Sequence, residues 1–584
     1  MKNKKLIVAV ILTVVFIAAI FVRTYKYDQW LYFKMDQSRD AFMIANAVKN
    51  GPQFLPLLGA RAGATKLKHG FLRLGPAFYY FQYLSGKIFN STEPYVFAYP
   101  DLFFSLAVLP LMYLFLKEYF SKRNSLLIVI MYAFSFIVIQ YSRFAWNPNS
   151  LPFFMILAFY ALLKFLNTEN TKSKWKWAVL FAFGASITSQ LHFFGFFSVI
   201  GITIALLFIH FRLWEKSVRQ NIMRSDALKL ATKYAGIVLL VFLVTYAPVI
   251  ISDYFKNGQN IHNFFEAMGS KPAKQALTDK LVKDAKENMK YYCLTVTSSC
   301  YQDKVSKDIL PIAITGLILL VGAILLIREL RRKPDGVKRD FLWLVVVWTV
   351  VFTVLTVPVA YQLRPRFFLV VFLIPFIALG FFFQYLEEKH RKYSAGLIAL
   401  IFVGILAANA NGTYAWFKEQ ANSQTKAFPV KRTLILKVKD GVTLGELQGV
   451  TDYMYGRRKN GATIYYYVKP EHVRPIEYLF YEKNDPTLKY GTLKLNGDPN
   501  AQFFAIVPAK SGLDPITKKF GDNFSVIAHK QFGQLMVYEL SFTNRNININ
   551  FRFNKKSGST DRVFWKDVFG IKEKIDRNAV NNAE

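Results

Sequence analysis

Met35-Asp36-Gln37-Ser38-Arg39-Asp40-Ala41 stands shortly after an apolar run over residues 6–22, and the reading of these two stretches together decides the fold. The basic start Met1-Lys2-Asn3-Lys4-Lys5 and the apolar run resemble a signal sequence. No small-x-small cleavage site follows, however, and many further apolar runs do, so the run reads as an uncleaved first membrane helix with a cytoplasmic N-terminus. The acids then lie just outside the membrane. Four apart, Asp36 and Asp40 share one face of a helix. Two readings stand side by side. In one, Asp36 is the N-cap of a helix over 37–49, with Asp40 in its first turns at the positive end of the dipole. In the other, an acid at the membrane surface is the base that a transfer reaction on a lipid-linked substrate needs.

Composition supports the membrane. The 584 residues are 53% hydrophobic and 17% aromatic, and the mean hydropathy is +0.22. That is too apolar for a soluble protein of this size, and the apolar residues come in blocks. A formal charge of +36 would suit a nucleic-acid binder. Many of the Lys and Arg residues instead cluster between apolar blocks, where they set membrane orientation, so anionic lipid is the expected partner and nucleic acid is not. Two cysteines exclude a disulfide scaffold and a Cys-rich metal site. Cys293 and Cys300 fall in one loop placed outside the membrane, where they form a local bridge or remain free thiols.

Further apolar runs cover residues 96–116, 125–140, 151–166, 177–190, 193–211, 234–251, 310–327, 341–358, 367–385 and 394–408. With the first, they make about eleven helices of roughly bilayer length. Between the first two lies a long polar loop, 23–95, holding the acid stretch and an aromatic amphipathic segment at 74–89 that reads as an interfacial helix. From a cytoplasmic start, the inner loops carry Lys117/Lys122/Arg123, Lys172/Lys174/Lys176, the basic residues of 212–233 and 328–339, and Lys389/Arg391/Lys392. The positive-inside rule holds at every turn, which puts the C-terminus outside. The tight turn near Gln190-Leu191-His192 is the joint on which this topology depends.

The expected domains are a transmembrane part over 1–410, an extracytoplasmic α/β domain over 411–545 and a polar, loose tail over 546–584. Strands are expected at 433–438, 463–468, 502–507, 525–529 and 534–540, and helices near 443–455 and 475–482. No P-loop, GxGxxG or metal-type Cys/His spacing stands in the chain, which argues against an ATP-driven pump.

Several landmarks now stand in order. The first loop opens with Phe33-Lys34-Met35-Asp36-Gln37-Ser38-Arg39-Asp40-Ala41, followed by His69-Gly70, Gly75-Pro76, Tyr79-Tyr80 and Glu93-Pro94. Ser142-Arg143-Phe144-Ala145-Trp146-Asn147-Pro148-Asn149 lies at an outer helix end, and Arg364-Pro365-Arg366-Phe367-Phe368 opens a late helix. In order and sidedness these resemble the family-39 group of bacterial membrane glycosyltransferases of the C-type fold. That group includes protein O-mannosyltransferases and relatives that transfer aminoarabinose to lipid A. The resemblance covers most of the membrane part. It implies a polyprenyl-phosphate sugar as donor, a glycan, lipid or protein as acceptor, and work at the outer face of the cytoplasmic membrane. Asp36 takes the place of the family's catalytic Asp. The acid that follows in the family pattern is Gln37 here, so neither a divalent metal nor a second acid follows from the resemblance. Asp40 is the residue whose helical position compensates. No other cofactor is implied.

The residues fit inverting sugar transfer. Asp36 takes the acceptor's proton as general base, and in-line displacement runs through an oxocarbenium-like state. The leaving phosphate needs fixed cations. Arg364 and Arg366 flank a proline at an outer helix mouth and read equally as phosphate ligands or as interfacial anchors, and so does Arg143 beside Trp146. His192 is a structural turn residue or a substrate contact. His69 and Arg73 lie over the cavity or face solvent. Glu93, Trp146 and Asn147 are further candidates for sugar or acceptor contacts. The span cores are nearly free of charge, which favours surface chemistry over a flippase or exporter. A non-catalytic scaffold with an outer binding domain is the third class, in which Asp36→Asn alters nothing but stability.

Overall fold

The structure is a computed structural model and describes residues 2–63, 67–215, 226–269, 275–301, 308–433, 441–495, 498–545 and 562–571. A bundle of mostly apolar helices carries a small five-stranded sheet domain near the C-terminus. Helix α1 (Lys2–Thr24) enters the bundle and leads into the first loop, which holds α2 (Met35–Asn50) and α3 (Ala77–Ile88). Then come α4 (Tyr99–Leu116), α5 (Lys122–Ala133), the short α6 (Phe136–Tyr141), α7 (Leu151–Asn167), α8 (Thr171–Leu191) and α9 (Phe193–His210). Helix α10 (Asp226–Phe255) is followed by α11 (Gln259–Gly269) and α12 (Leu277–Thr297). Helices α13 (Ile309–Arg331), α14 (Gly336–Thr356), α15 (Ile374–Lys389) and α16 (Arg391–Thr425) complete the bundle.

Among the described residues, six helices are long and apolar enough to cross a membrane, and the segments Thr13–Thr24 and Leu151–Asn167 are apolar but shorter. The expected run 125–140 is two helices, because the chain breaks at Phe134-Ser135, where the Ser135 hydroxyl donates to the Thr295 carbonyl at 2.7 Å. The run 367–385 is likewise divided into a 3-10 segment (Pro365–Val370) and α15. The turn at 190–192 is real: His192 has extended backbone (φ −161°), and its Nδ1 caps α9 by accepting from the Phe194 N–H at 3.2 Å.

Three expectations need correction. The stretch between α10 and α13 is largely helical; α11 and α12 fill it, and α12 buries Tyr291 to Val296 against the bundle. Its cysteines do form the Cys293–Cys300 disulfide. The boundary at 410/411 falls inside α16, which runs on to Thr425. Polarity rises beyond Asn409, but Gly412, Thr413, Trp416, Gln420 and Ser423 stay buried on one side, and that face sustains the helix. The tail is not loose throughout, since residues 562–571 pack against the first loop.

In the C-terminal domain, α17 (Leu444–Gly456) starts at a Thr443/Glu446 capping box. The strands are β1 (Thr463–Tyr467), β2 (Lys489–Thr492), β3 (Ala501–Pro508), β4 (Phe524–Phe532) and β5 (Leu535–Phe542), in the order β2-β1-β3-β5-β4. β1 pairs parallel with β2 and β3, while β5 runs antiparallel to β3 and β4. The near-continuous apolar run of β3 suits a central, buried strand. The expected strand at 433–438 falls, beyond Thr433, outside the described residues. β2 was not expected, and helix α18 (Pro470–Glu482) begins five residues before the expected start. Gly533 turns the β4–β5 hairpin at φ +54°, where a Cβ would meet Glu446 Oε1 and the Ser423 carbonyl.

This domain is fastened to the first loop. Leu444 N–H donates to the Leu31 carbonyl at 2.7 Å, Tyr32 and Thr433 hydroxyls lie 2.6 Å apart, and Phe42 stacks edge-on to Tyr478. The contacts place α18 beside α2, over the acid stretch.

Candidate active site

Helix α2 begins at Met35, two residues earlier than the capping reading required. The Lys34 N–H donates to Gln37 Oε1 at 3.3 Å, so Gln37 serves the helix start and Asp36 does not. Asp36 lies in the first turn with its side chain 54% exposed. Asp40, one turn on, is buried. One guanidinium joins them: Arg39 Nη1 is 2.8 Å from Asp36 Oδ1 and Nη2 is 2.8 Å from Asp40 Oδ1. The Tyr79 hydroxyl of α3 also donates to Asp40 Oδ1, at 2.7 Å. Burial raises the Asp40 carboxyl above its ordinary value and Asp36 adds to this, while Arg39, the Tyr79 bond and Arg562 act against it. The shared helix face has therefore been divided into an open acid and an enclosed one.

Gln37 Nε2 donates to the Ala145 carbonyl at 3.1 Å and brings the 142–149 stretch against α2. That stretch is held from below by Asp101, whose carboxylate accepts from the Trp146 N–H at 2.8 Å and the Ser150 hydroxyl at 2.5 Å. Asp101 was missed in the sequence because it follows Tyr99-Pro100 at the head of an apolar run. Over the Trp146 ring, at 5.2 Å, lies the Arg366 guanidinium. Burial lowers Arg366 from its ordinary value; Tyr141 raises it, Arg364 lowers it and Asp36 raises it. The Arg366 cation is thus within electrostatic reach of both Asp36 and Arg364. Among the described residues, neither the Arg364 nor the Arg366 side chain makes an ion pair or hydrogen bond. Arg474 of α18, half-buried, is the other cation missed in the sequence. Burial and Arg39 lower it, and Glu477, Asp36 and Asp40 raise it. Only the docking of the C-terminal domain brings it here.

Other candidates lie elsewhere. Arg143 is buried and donates to the carbonyls of Val22 (3.2 Å), Arg23 (2.9 Å) and Tyr25 (2.6 Å), so it closes the end of α1 and does not face a phosphate. Asn147 Nδ2 donates to the Leu191 carbonyl at 2.5 Å, beside His192. Burial, and secondarily Arg366, push the His192 imidazole down to about 3, so the ring is neutral; it packs 5.4 Å from Phe367. His69 is exposed and 5.7 Å from the His262 ring, and Arg73 shares backbone bonds with Asn260, so both belong to a hairpin docked on α11. Glu93 faces α18, where burial and Glu482 raise its carboxyl. Among the described residues, no group of three or more His, Cys, Asp and Glu side chains is placed to hold a metal.

A multi-span bundle with an acid-bearing first loop, in a chain that matches a sugar-transferase family, defines a membrane glycosyltransferase. The match covers residues 6–252, and the family is described as dolichyl-phosphate-mannose-protein mannosyltransferase. It takes in Asp36, Asp40, Trp146 and His192 and ends before Arg364 and Arg366. No curated protein matches the chain. Among solved structures, the chain is similar to ArnT from Cupriavidus metallidurans bound to undecaprenyl phosphate, at 11% identity and a TM-score of 0.49, covering 90% of this chain and 97% of that one. It is similar also to the Archaeoglobus fulgidus oligosaccharyltransferase in complex with Zn and sulfate, at 12% identity and a TM-score of 0.48, covering 85% and 68%. A third, the oligosaccharyltransferase AglB of the same organism with an inhibitory peptide and a dolichol-phosphate, has 14% identity and a TM-score of 0.43, covering 92% and 75%.

Proposed function

We propose that the protein transfers a sugar, with inversion, from a polyprenyl-phosphate donor to a hydroxyl or amine of a glycan, lipid or protein acceptor at the outer face of the cytoplasmic membrane. The observation that carries this reading is the exposed Asp36, relieved of capping and held by Arg39, within electrostatic reach of Arg366. Asp36 accepts the acceptor's proton as the new glycosidic bond forms. The bond from the anomeric carbon to the phosphate oxygen breaks on the opposite side, through an oxocarbenium-like state. Arg366 and Arg364 receive the charge that gathers on the leaving phosphate. Trp146 keeps Arg366 in place by its ring face. Arg474 adds a further cation near the acids from the C-terminal domain. The outer location rests on the distribution of basic loops.

The test is transfer of radiolabelled sugar from native polyprenyl-phosphate donors by membranes carrying wild type or Asp36→Asn at matched expression. Label that moves in wild type and not in the variant supports the reading. Equal transfer by both removes Asp36 from the chemistry.

A further inference from the structure

The last described segment of the chain returns to the acid loop. Phe564 pairs antiparallel with Pro56, flanked by bonds from the Leu57 N–H to the Val563 carbonyl (2.9 Å) and from the Trp565 N–H to the Leu55 carbonyl (3.2 Å). Trp565 Nε1 donates to the Tyr80 hydroxyl at 2.9 Å, and Lys566 lies over the Phe54 ring. These contacts seat Arg562 beside α3. Its side chain is buried, with Nη2 3.4 Å from the Tyr79 hydroxyl, Nη1 2.7 Å from Met43 Sδ and the guanidinium over the Tyr79 ring.

The Tyr79 hydroxyl proton is committed to Asp40, so its lone pairs face Arg562. We propose that Arg562 is a positioning residue for the transfer reaction: it fixes Tyr79 on Asp40, and Asp40 in turn holds Arg39 toward Asp36. The relay joins α2, α3 and the 562–571 segment, the last of which lies far from the other two in sequence. It rests on the role given above to Asp36. Among the described residues, the charged and titratable groups that act on Asp40 or feel it are Arg39 and Asp36 from α2, Tyr79 from α3, Arg474 from α18 and Arg562 from the 562–571 segment. An enclosed carboxylate needs paired charge to stay ionised. A protonated Asp40 would leave Arg39 with one carboxylate in place of two, and the guanidinium would no longer be fixed in its present orientation.

The experiment uses the full-length protein with Arg562→Ala, Arg562→Lys and, separately, the pair Pro56→Cys with Phe564→Cys. The 56/564 pair lies between two ladder bonds, where facing side chains approach closely enough for a disulfide. The expected results are a cross-link in membranes with transfer retained, and in Arg562→Ala a loss of kcat of roughly 10- to 100-fold with donor KM little changed. Loss of the cation raises Asp40 further, so the acid limb of the pH–rate profile moves to higher pH in Arg562→Ala and returns in Arg562→Lys. An unmoved acid limb, or no cross-link, overturns the proposal. Should wild type transfer no sugar, the proposed function fails on its own. The relay is then judged by melting temperature against pH for wild type, Asp40→Asn and Arg562→Ala. A raised carboxyl favours the folded state at low pH and loses that contribution as pH rises, so the fall should be centred higher in Arg562→Ala and absent in Asp40→Asn. Coincident wild-type and Arg562→Ala curves overturn the relay.

Discussion

Arg39 Nη1 lies 2.8 Å from Asp36 Oδ1, while the buried Asp40 holds the same guanidinium from the other side. Asp36 is thereby oriented without being enclosed. Its position predicts a clean separation of activity from stability. Asp36→Asn should lower transfer on the order of 10²- to 10⁴-fold and leave the melting temperature in detergent almost unchanged. A variant that melts early would return Asp36 to a structural role.

The arginines divide into two kinds. Arg366→Ala should weaken donor binding and raise donor KM, with Arg364→Ala acting in the same direction and less strongly, because Arg364 is exposed and Arg366 is half-buried over Trp146. Arg143→Ala should instead unfold the protein more easily. It leaves three carbonyls of the α1 end without their donor, and each buried unsatisfied group costs about 1–3 kcal/mol. Donor titrations and melting curves on the same preparations distinguish the two outcomes.

Asp101 accepts from both the Trp146 N–H and the Ser150 hydroxyl. Asp101→Ala should release the loop that carries Trp146 and with it the seat of Arg366. We expect reduced transfer together with quenching or a spectral shift of Trp146 fluorescence, measured in a background with the other tryptophans replaced by phenylalanine. Unchanged fluorescence with full activity would show that the loop holds its shape without this acid.

The disulfide closes a short loop, Cys293 and Cys300 being seven residues apart. The loop-entropy relation gives about 2 kcal/mol for a closure of this size. Cys293→Ala with Cys300→Ala should therefore lower the melting temperature by a few degrees, and a reductant should lower the wild type to the same level without affecting the double variant.

Apolar blocks and basic loops made the bundle legible, since hydrophobicity over some twenty residues is a local signal. The first loop's acid pair was legible for the same reason: i,i+4 spacing places two side chains on one helical face whatever lies around them. Which of the two would be open and which enclosed was not, because Tyr79, Arg39 and Arg562 decide it and two of them come from other elements. Arg143 misled because a guanidinium next to a tryptophan reads identically whether its partners are phosphate oxygens or backbone carbonyls. Asp101, Arg474 and Arg562 went unseen for a common reason. Each owes its meaning to a long-range contact: with the 146–150 stretch, with the acids of α2, and with Tyr79. The expected end of the last apolar run was right about composition and silent about backbone, since a helix with one buried polar face continues beyond the lipid.

That continuation has a mechanical consequence. Helix α16 is 35 residues long, about 50 Å at the usual rise per residue, against a hydrocarbon core of about 30 Å. The C-terminal domain therefore stands on a rod anchored in the bilayer. Such a rod tilts when bilayer thickness changes. Because the domain on its end is also tied to the first loop through Leu31, Tyr32 and Phe42, any tilt of the rod is felt as load on those contacts, and the host membrane's thickness bears on the loop that carries Asp36.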